Sequence, residues 1–292
     1  MTPLPNLYPG VSSPLPNPRA RLISAGLGVQ TMAMIYGADR GLFGPMPDAA
    51  VYGNTGNGRT SEADNLRFLR SDNTKPQMAV VEVSNGNLSD DLDDATAGRI
   101  KRFPNPPFFV KNPDGSRGIL NRSCTRDYKI TPVRREAKRM IGHVPGSRLP
   151  TGPVVEVWIG ITVDEVHRMS VSPEPWVYHR HPLIEVGWTR QDCDRFLYDL
   201  FGVHFGHSGC IDCPFRSPEE WLSMMRDDPN DYERACQDDE KIRHDLPNVR
   251  LPAYMHDSLV PLREIDWKAE IERRRGTLLG WSNACGSGAC GT

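Results

Sequence analysis

Four short apolar runs recur along the first 161 residues, each followed by small or polar turn residues. They are Arg21-Leu22-Ile23-Ser24, Ala49-Ala50-Val51-Tyr52, Met78-Ala79-Val80-Val81-Glu82-Val83, and Val154 to Ile161, the most strand-like segment of the chain. The turns that close them carry Gly26 and Gly28, Gly53 to Gly58, Ser84-Asn85-Gly86, and Gly160. Between the runs, Thr31 to Tyr36, Thr60 to Arg70 and Thr131 to Met140 read as helices. Strands alternating with helices predict right-handed βαβ units. The expected fold is therefore α/β, a Rossmann-like parallel sheet with helices on both faces. Such sheets bind ligands outside the carboxyl ends of their strands, which would gather the four turns at one edge.

The flanks follow other rules. Residues 1–20 are rich in Pro, which forbids helix and predicts an extended arm. A Pro- and Arg-rich stretch, 99–122, separates the third run from the Thr131 helix. The α/β domain is expected over 21–217. Beyond it, Pro218-Glu219-Glu220-Trp221 opens a helical extension, 218–292, that ends in a Gly- and Cys-rich tail.

Composition narrows the class. Hydrophobic residues make up 38% and charged residues 25% of 292, which excludes a disordered or collagen-like chain. A formal net charge of −2 excludes a polycation, yet the 35 cationic side chains divide as 28 Arg and 7 Lys. Surface solvation accounts for most of them, while the guanidinium fork also suits phosphate and carboxylate. The opening Met1-Thr2-Pro3-Leu4-Pro5 has no basic, apolar leader character, and no stretch approaches the ~20 apolar residues of a membrane span. The expectation is a cytoplasmic protein with no membrane partner. Seven cysteines, an odd number with one tight Cys210-Ile211-Asp212-Cys213 pair, argue for metal or redox chemistry over a disulfide framework.

Four constellations could carry chemistry. Ser24-Ala25-Gly26-Leu27-Gly28-Val29-Gln30-Thr31 lies between a strand and a helix, where backbone N–H groups favour anions. It is neither a Walker loop nor a dinucleotide fingerprint, and an ordinary βα turn fits it as well. Cys124 leads into a cationic segment with Lys129, Arg134 and Arg135. Gly160 to Arg168 closes the fourth strand. Gly209-Cys210-Ile211-Asp212-Cys213-Pro214 could be half of a zinc site, half of an iron–sulfur site or a redox dithiol. His204 or His207 could complete a zinc set, and both serve equally well as surface or supporting histidines. Trp158, Trp188 and Trp221 read as core aromatics, and Cys236 as incidental.

Taken in order, these pieces resemble the phosphoadenosine-phosphosulfate (PAPS) reductase family of the adenine-nucleotide alpha-hydrolase, or PP-loop, superfamily. The correspondence runs through Ser24 to Thr31, Asn54-Thr55-Gly56, Cys124…Lys129…Pro132, Gly160…Arg168, Pro182-Leu183…Trp188-Thr189…Asp192 and Gly209-Cys210…Cys213, over roughly residues 20–217. The resemblance implies an enzyme that binds ATP or a PAPS-type adenine nucleotide. Ser24, Gly26, Gly28, Gln30, Thr31, Asn54, Thr55, Gly56, Lys129, Arg134, Arg135, Gly160 and Arg168 would contact it, with Mg²⁺ as a further candidate. It also implies a 4Fe–4S cluster on Cys124, Cys210 and Cys213, with Cys193 as the candidate fourth ligand because Thr125 replaces the family's second cysteine.

Asn54 stands where the family carries an acid, which weakens the case for Mg²⁺ or ribose at that turn. The tail lacks the family's Glu-Cys-Gly-x-His ending, leaving Cys285 and Cys290 as candidate nucleophiles or persulfide carriers, or as unremarkable thiols. Sulfonucleotide reduction and ATP-dependent sulfur transfer to an acceptor, such as a nucleic acid, both follow. An electron- or sulfur-donor protein and a homodimer are further expectations. The competing class is a non-catalytic, zinc-stapled module that binds nucleic acid or a partner.

Overall fold

The computed structural model describes residues 3–101, 103 and 106–275. Its centre is a five-stranded sheet built from β1 (Ala20–Ala25), β2 (Ala49–Asn54), β3 (Ala79–Ser84), β6 (Val155–Trp158) and β7 (Val177–Arg180). The order is β3-β2-β1-β6-β7 with every pairing parallel. Helices α1 (Val29–Asp39), α2 (Thr60–Arg70) and α4 (Thr131–Met140) lie in the crossovers, and α6 (Arg190–Phe201) follows β7; the four flank the sheet. The predicted α/β class is what the chain adopts.

Period-two alternation explains the two layers. Ile23 and Ala25 of β1 face a core shared with α1 and α6, including Met32, Tyr36, Phe43, Trp158 and Leu197. Leu22 points to the opposite face and packs with Ala137 of α4, Val157 and Trp176. Helix α1 is buried from Val29 to Ala38, which its run of small and apolar residues permits. Gly37 shows how close that packing is. A Cβ there would lie 2.4 Å from the Phe43 ring, and Phe43 is held edge-on by Trp158 and Trp188. Gly37→Ala is expected to lose about 1–3 kcal/mol by overpacking despite its better helix propensity. Thermal unfolding followed by circular dichroism would show this as a fall of several degrees.

A second core lies beside the sheet. The Pro- and Arg-rich stretch supplies β4 (Phe109–Lys111) and β5 (Arg117–Ile119), and β4 also pairs antiparallel with β8 (Ala253–Tyr254). Helices α3 (Leu88–Thr96), α7 (Pro218–Asp227), α8 (Pro229–Asp245) and α9 (Trp267–Arg275) pack there around Phe108, Trp221 and Trp267. The lobe is thus assembled from two distant stretches of chain. The short helix α5 (Pro182–Glu185) completes the set. Among the described residues no helix is long and apolar enough to cross a membrane.

Strand order reverses between β1 and β6, because β2 and β3 lie on one side of β1 and β6 and β7 on the other. That switch point opens a crevice where the loop after β1 and the loop after β6 come together.

Candidate functional site

The loop after β1 enters α1 through Gly28, an N-cap with no side chain to bond the first-turn N–H groups. Leu27 takes φ +55°, and its carbonyl is held by the Asn65 side-chain amide at 2.7 Å. Close approach explains two glycines. A Cβ on Gly28 would lie 2.5 Å from Ser208 Oγ, and one on Gly160 would press on Met34 and Thr31. The β1 loop and the start of α1 therefore touch both the β6 loop and the cysteine loop.

Together they form a cleft lined by Ser24, Gly26, Gly28, Gln30, Thr31, Lys129, Gly160 and Arg168, whose cations and open helix N-terminus suit an anion. Eight of the residues expected at a nucleotide meet here. Glu165 ties two of them, accepting from Gln30 Nε2 at 3.0 Å and pairing with Arg168 at 2.9 Å. Arg190, Ser208 and Arg216 line the same cleft and were not expected there, and His207, considered above only for a zinc set, lines it too. Arg190 Nη2 lies 2.9 Å from His207 Nδ1, so that nitrogen is the acceptor and the imidazole proton sits on Nε2. Burial, reinforced by Arg190, pushes the His207 pKa below its ordinary value. Arg216 is buried, stacks on Trp221 at 5.0 Å and donates to the Cys210 carbonyl at 2.7 Å. Its Nε has no partner.

An apolar slot continues from the cleft, lined by Ile130, Val133, Ala137, Val157, Ile159 and Val177. Ser24, Gly26 and Lys129 border both spaces, and Arg134, paired with Glu174 at 3.1 Å, borders the slot. Lys129 comes from a π-helical turn, Thr125–Ile130, that runs directly into α4. Such turns often mark functional positions.

A third pocket holds the sulfur groups. Cys124, Cys210 and Cys213 line it with Thr55, Thr125, Lys129 and Asp212. The Cys210 thiol is pushed up to about 11 by burial, against the opposing charge of Lys129, and lies 3.6 Å from Thr55 Oγ1. Burial, with the facing Asp238 carboxyl, raises Asp212 as well.

Five expected residues lie elsewhere. Cys193 is wholly buried on α6 in the core against α1, where burial raises its thiol pKa, and it does not line the pocket of the other three. Arg135 bonds Asn85 Oδ1 at 2.8 Å, outside the cleft. Adjacent helical residues face different directions, so Arg134 and Arg135 cannot share one ligand. Asn54 spends its side chain on Glu82 at 2.7 Å and the Gly56 N–H at 2.8 Å. Gly56, at φ +71°, packs on Asn87 and stands outside the cleft too. This turn faces the cysteine loop, not the anion cleft. His204 pairs with Asp194 on the surface rather than with sulfur. Cys285 and Cys290 lie outside the described residues.

No protein-family model matches the chain, and no curated protein matches it in sequence. Among solved structures it is similar to phosphoadenylyl-sulfate (PAPS) reductase from Candida auris in its phosphate complex. The identity is 12% over 65% of this chain and 76% of that one, with a TM-score of 0.40. At that level of likeness, the chemistry of the cleft rests on its own residues.

Proposed function

We propose that this protein is an enzyme that binds an adenine nucleotide and performs chemistry at sulfur. The phosphate or sulfate groups would rest on the Ser24–Thr31 loop with Lys129 and Arg168, and the base would enter the apolar slot. One observation carries the reading. Lys129 borders the slot, the anion cleft and the cysteine pocket, and Cys213 borders the last two. An anion on the loop is therefore next to thiols. With a sulfonucleotide, a thiolate attacking sulfur forms an S–S bond as the sulfur–oxygen bond to the nucleotide phosphate breaks, and a second thiolate releases sulfite and leaves a disulfide.

The three thiols also suit a metal centre. Among the described residues they are not gathered as tightly as a tetrahedral zinc requires. A larger 4Fe–4S cluster tolerates a wider set, with Cys124, Cys210 and Cys213 as ligands and one iron left for another donor. Bound there, it would supply redox or electrostatic chemistry, and the attacking thiol would come from another cysteine, the Cys285 and Cys290 pair being the expectation.

Calorimetry with ATP and PAPS tests the cleft. At least one is expected to bind, and Arg168→Ala to weaken it about tenfold or more, the value of a charge-assisted hydrogen bond. Binding of neither, or an unchanged affinity in the variant, would remove the assignment. Iron analysis and the absorption spectrum of anaerobically purified protein separate the sulfur roles. About four irons per chain make the trio ligands; a metal-free chain makes Cys213 the nucleophile, inactive as Cys213→Ser.

A further inference from the structure

The cysteine loop is laid along the β2–α2 turn like a short strand. Ile211 N–H donates to the Asn57 carbonyl at 2.8 Å and Arg59 N–H to the Gly209 carbonyl at 3.2 Å. Gly58 and Cys210 form an antiparallel bridge, and Ser61 Oγ donates to the His207 carbonyl at 2.6 Å. One loop donor is directed elsewhere. Gly209, at φ +144°, turns its N–H to the carboxylate of Glu62, 2.5 Å away. The other Glu62 oxygen accepts from the Tyr52 hydroxyl at 2.8 Å.

This carboxylate is 5% exposed. Burial raises its pKa, opposed first by Lys129 and then by its bonds to Gly209 and Tyr52. Tyr52 and Glu62 also line the apolar slot with Lys129. On the far side, Gly58 leaves room for it, since a Cβ there would lie 2.5 Å from Glu62 Oε2. A charged acceptor buried at this depth is costly unless each oxygen is used. Both are used, one on the strand that floors the slot and one on the loop that carries the thiols.

We propose that Glu62 is a positioning residue for the cysteine chemistry, acting through the Gly209 N–H to hold Cys210 toward Thr55 and Lys129. If the thiols react as proposed above, their geometry is then set from inside the nucleotide slot. The test is alkylation of individual cysteines by N-ethylmaleimide, read by mass spectrometry, with amide exchange over 207–211, on the full chain. In Glu62→Ala, labelling of Cys210 and exchange at Gly209 are expected to rise at least about tenfold, as loss of a buried charged hydrogen bond implies. Cys236, buried in the second core, should label as in wild type. Glu62→Gln should restore slow labelling, because its oxygen can accept from Gly209 while its amide donates to Tyr52.

Gly58→Ala presses on the same carboxylate without removing it and should move Cys210 the same way, which keeps the test open if Glu62→Ala does not fold. Unchanged Cys210 labelling in both variants, an equal rise at Cys236, or failure of Gln to restore the loop would each overturn the role. Calorimetry with ATP and PAPS on the same samples keeps the two readings apart. Failure of wild type to bind either removes the nucleotide assignment and leaves the labelling result standing.

Discussion

Lys129→Ala is expected to weaken binding of ATP or PAPS about 10- to 100-fold, the factor that corresponds to the roughly 1.5–3 kcal/mol of a charged hydrogen bond. The effect follows from its position at the meeting of three spaces, the apolar slot, the anion cleft and the cysteine pocket. Arg168 meets only the cleft and shares its charge with Glu165, so its removal should cost less. Arg135, which faces Asn85, provides the internal control. Arg135→Ala should bind nucleotide within about twofold of wild type, as surface substitutions generally do. Lys129→Arg should not restore full affinity, because a planar fork does not replace a compact ammonium in a narrow junction. Titration calorimetry on the four proteins decides it. Equal affinities for Lys129→Ala and Arg135→Ala would mean that the anion does not sit at this junction.

The sheet and the edge that carries the cleft were legible because they depend on local pattern. The apolar runs and the turns after them placed β1, β2, β3 and β6, and Thr60–Arg70 and Thr131–Met140 coincide with α2 and α4. The loop after β1, Gly160 and Arg168 meet in the cleft for the same reason, since the α/β rule collects strand ends at one edge, whereas Lys129, on the turn before α4, was named through the family resemblance. What local pattern could not carry is pairing across the chain. Asn54 to Gly58 has the composition of a ligand-binding turn, yet its Asn57 carbonyl takes the Ile211 N–H, its Gly58 bridges Cys210, and its Thr55 hydroxyl meets Cys210. Arg190 and Arg216 were missed, and His207 was considered only for a zinc set, because each belongs to an element whose docking onto the cleft is a tertiary event. Glu62 did carry a signal, as an acid in the first turn of a helix that otherwise reads as solvated. Cys193 shows the same limit from the other side. It was the candidate fourth ligand because Thr125 replaces the family's second cysteine, but Asp192 caps α6 with Thr189, and the next residue turns inward to the core. The small sheet of the second lobe was illegible because β4 and β8 are short and come from distant stretches.

Glu185→Ala is expected to destabilise the fold by about 3–5 kcal/mol, the usual cost of stranding one partner of a buried ion pair. Arg180 at the end of β7 is 2% exposed. Its guanidinium bonds Glu185 through Nε at 3.0 Å and Nη2 at 2.7 Å, and lies over the Trp158 ring at 4.8 Å. The next carboxylate, Glu156, stands 3.7 Å away and is already shared with Arg21 and the Trp158 indole N–H. Glu185 also ties down the Pro-rich arm, accepting from Ser12 Oγ at 2.6 Å while its carbonyl takes the Leu7 N–H at 2.6 Å. Losing the side chain should therefore lower the thermal midpoint by roughly 6–20 °C, at 2–4 °C per kcal/mol. It should also expose the arm to limited proteolysis ahead of the sheet. Replacing both partners together, as in Arg180→Met with Glu185→Leu, should recover much of that loss, because the desolvation cost disappears with the charges. The arm should stay protease-sensitive in the double variant, since Ser12 still lacks its acceptor. A single variant that melts within about 1 kcal/mol of wild type would show that Arg180 finds another counter-charge and that the arm is held by its backbone contacts alone.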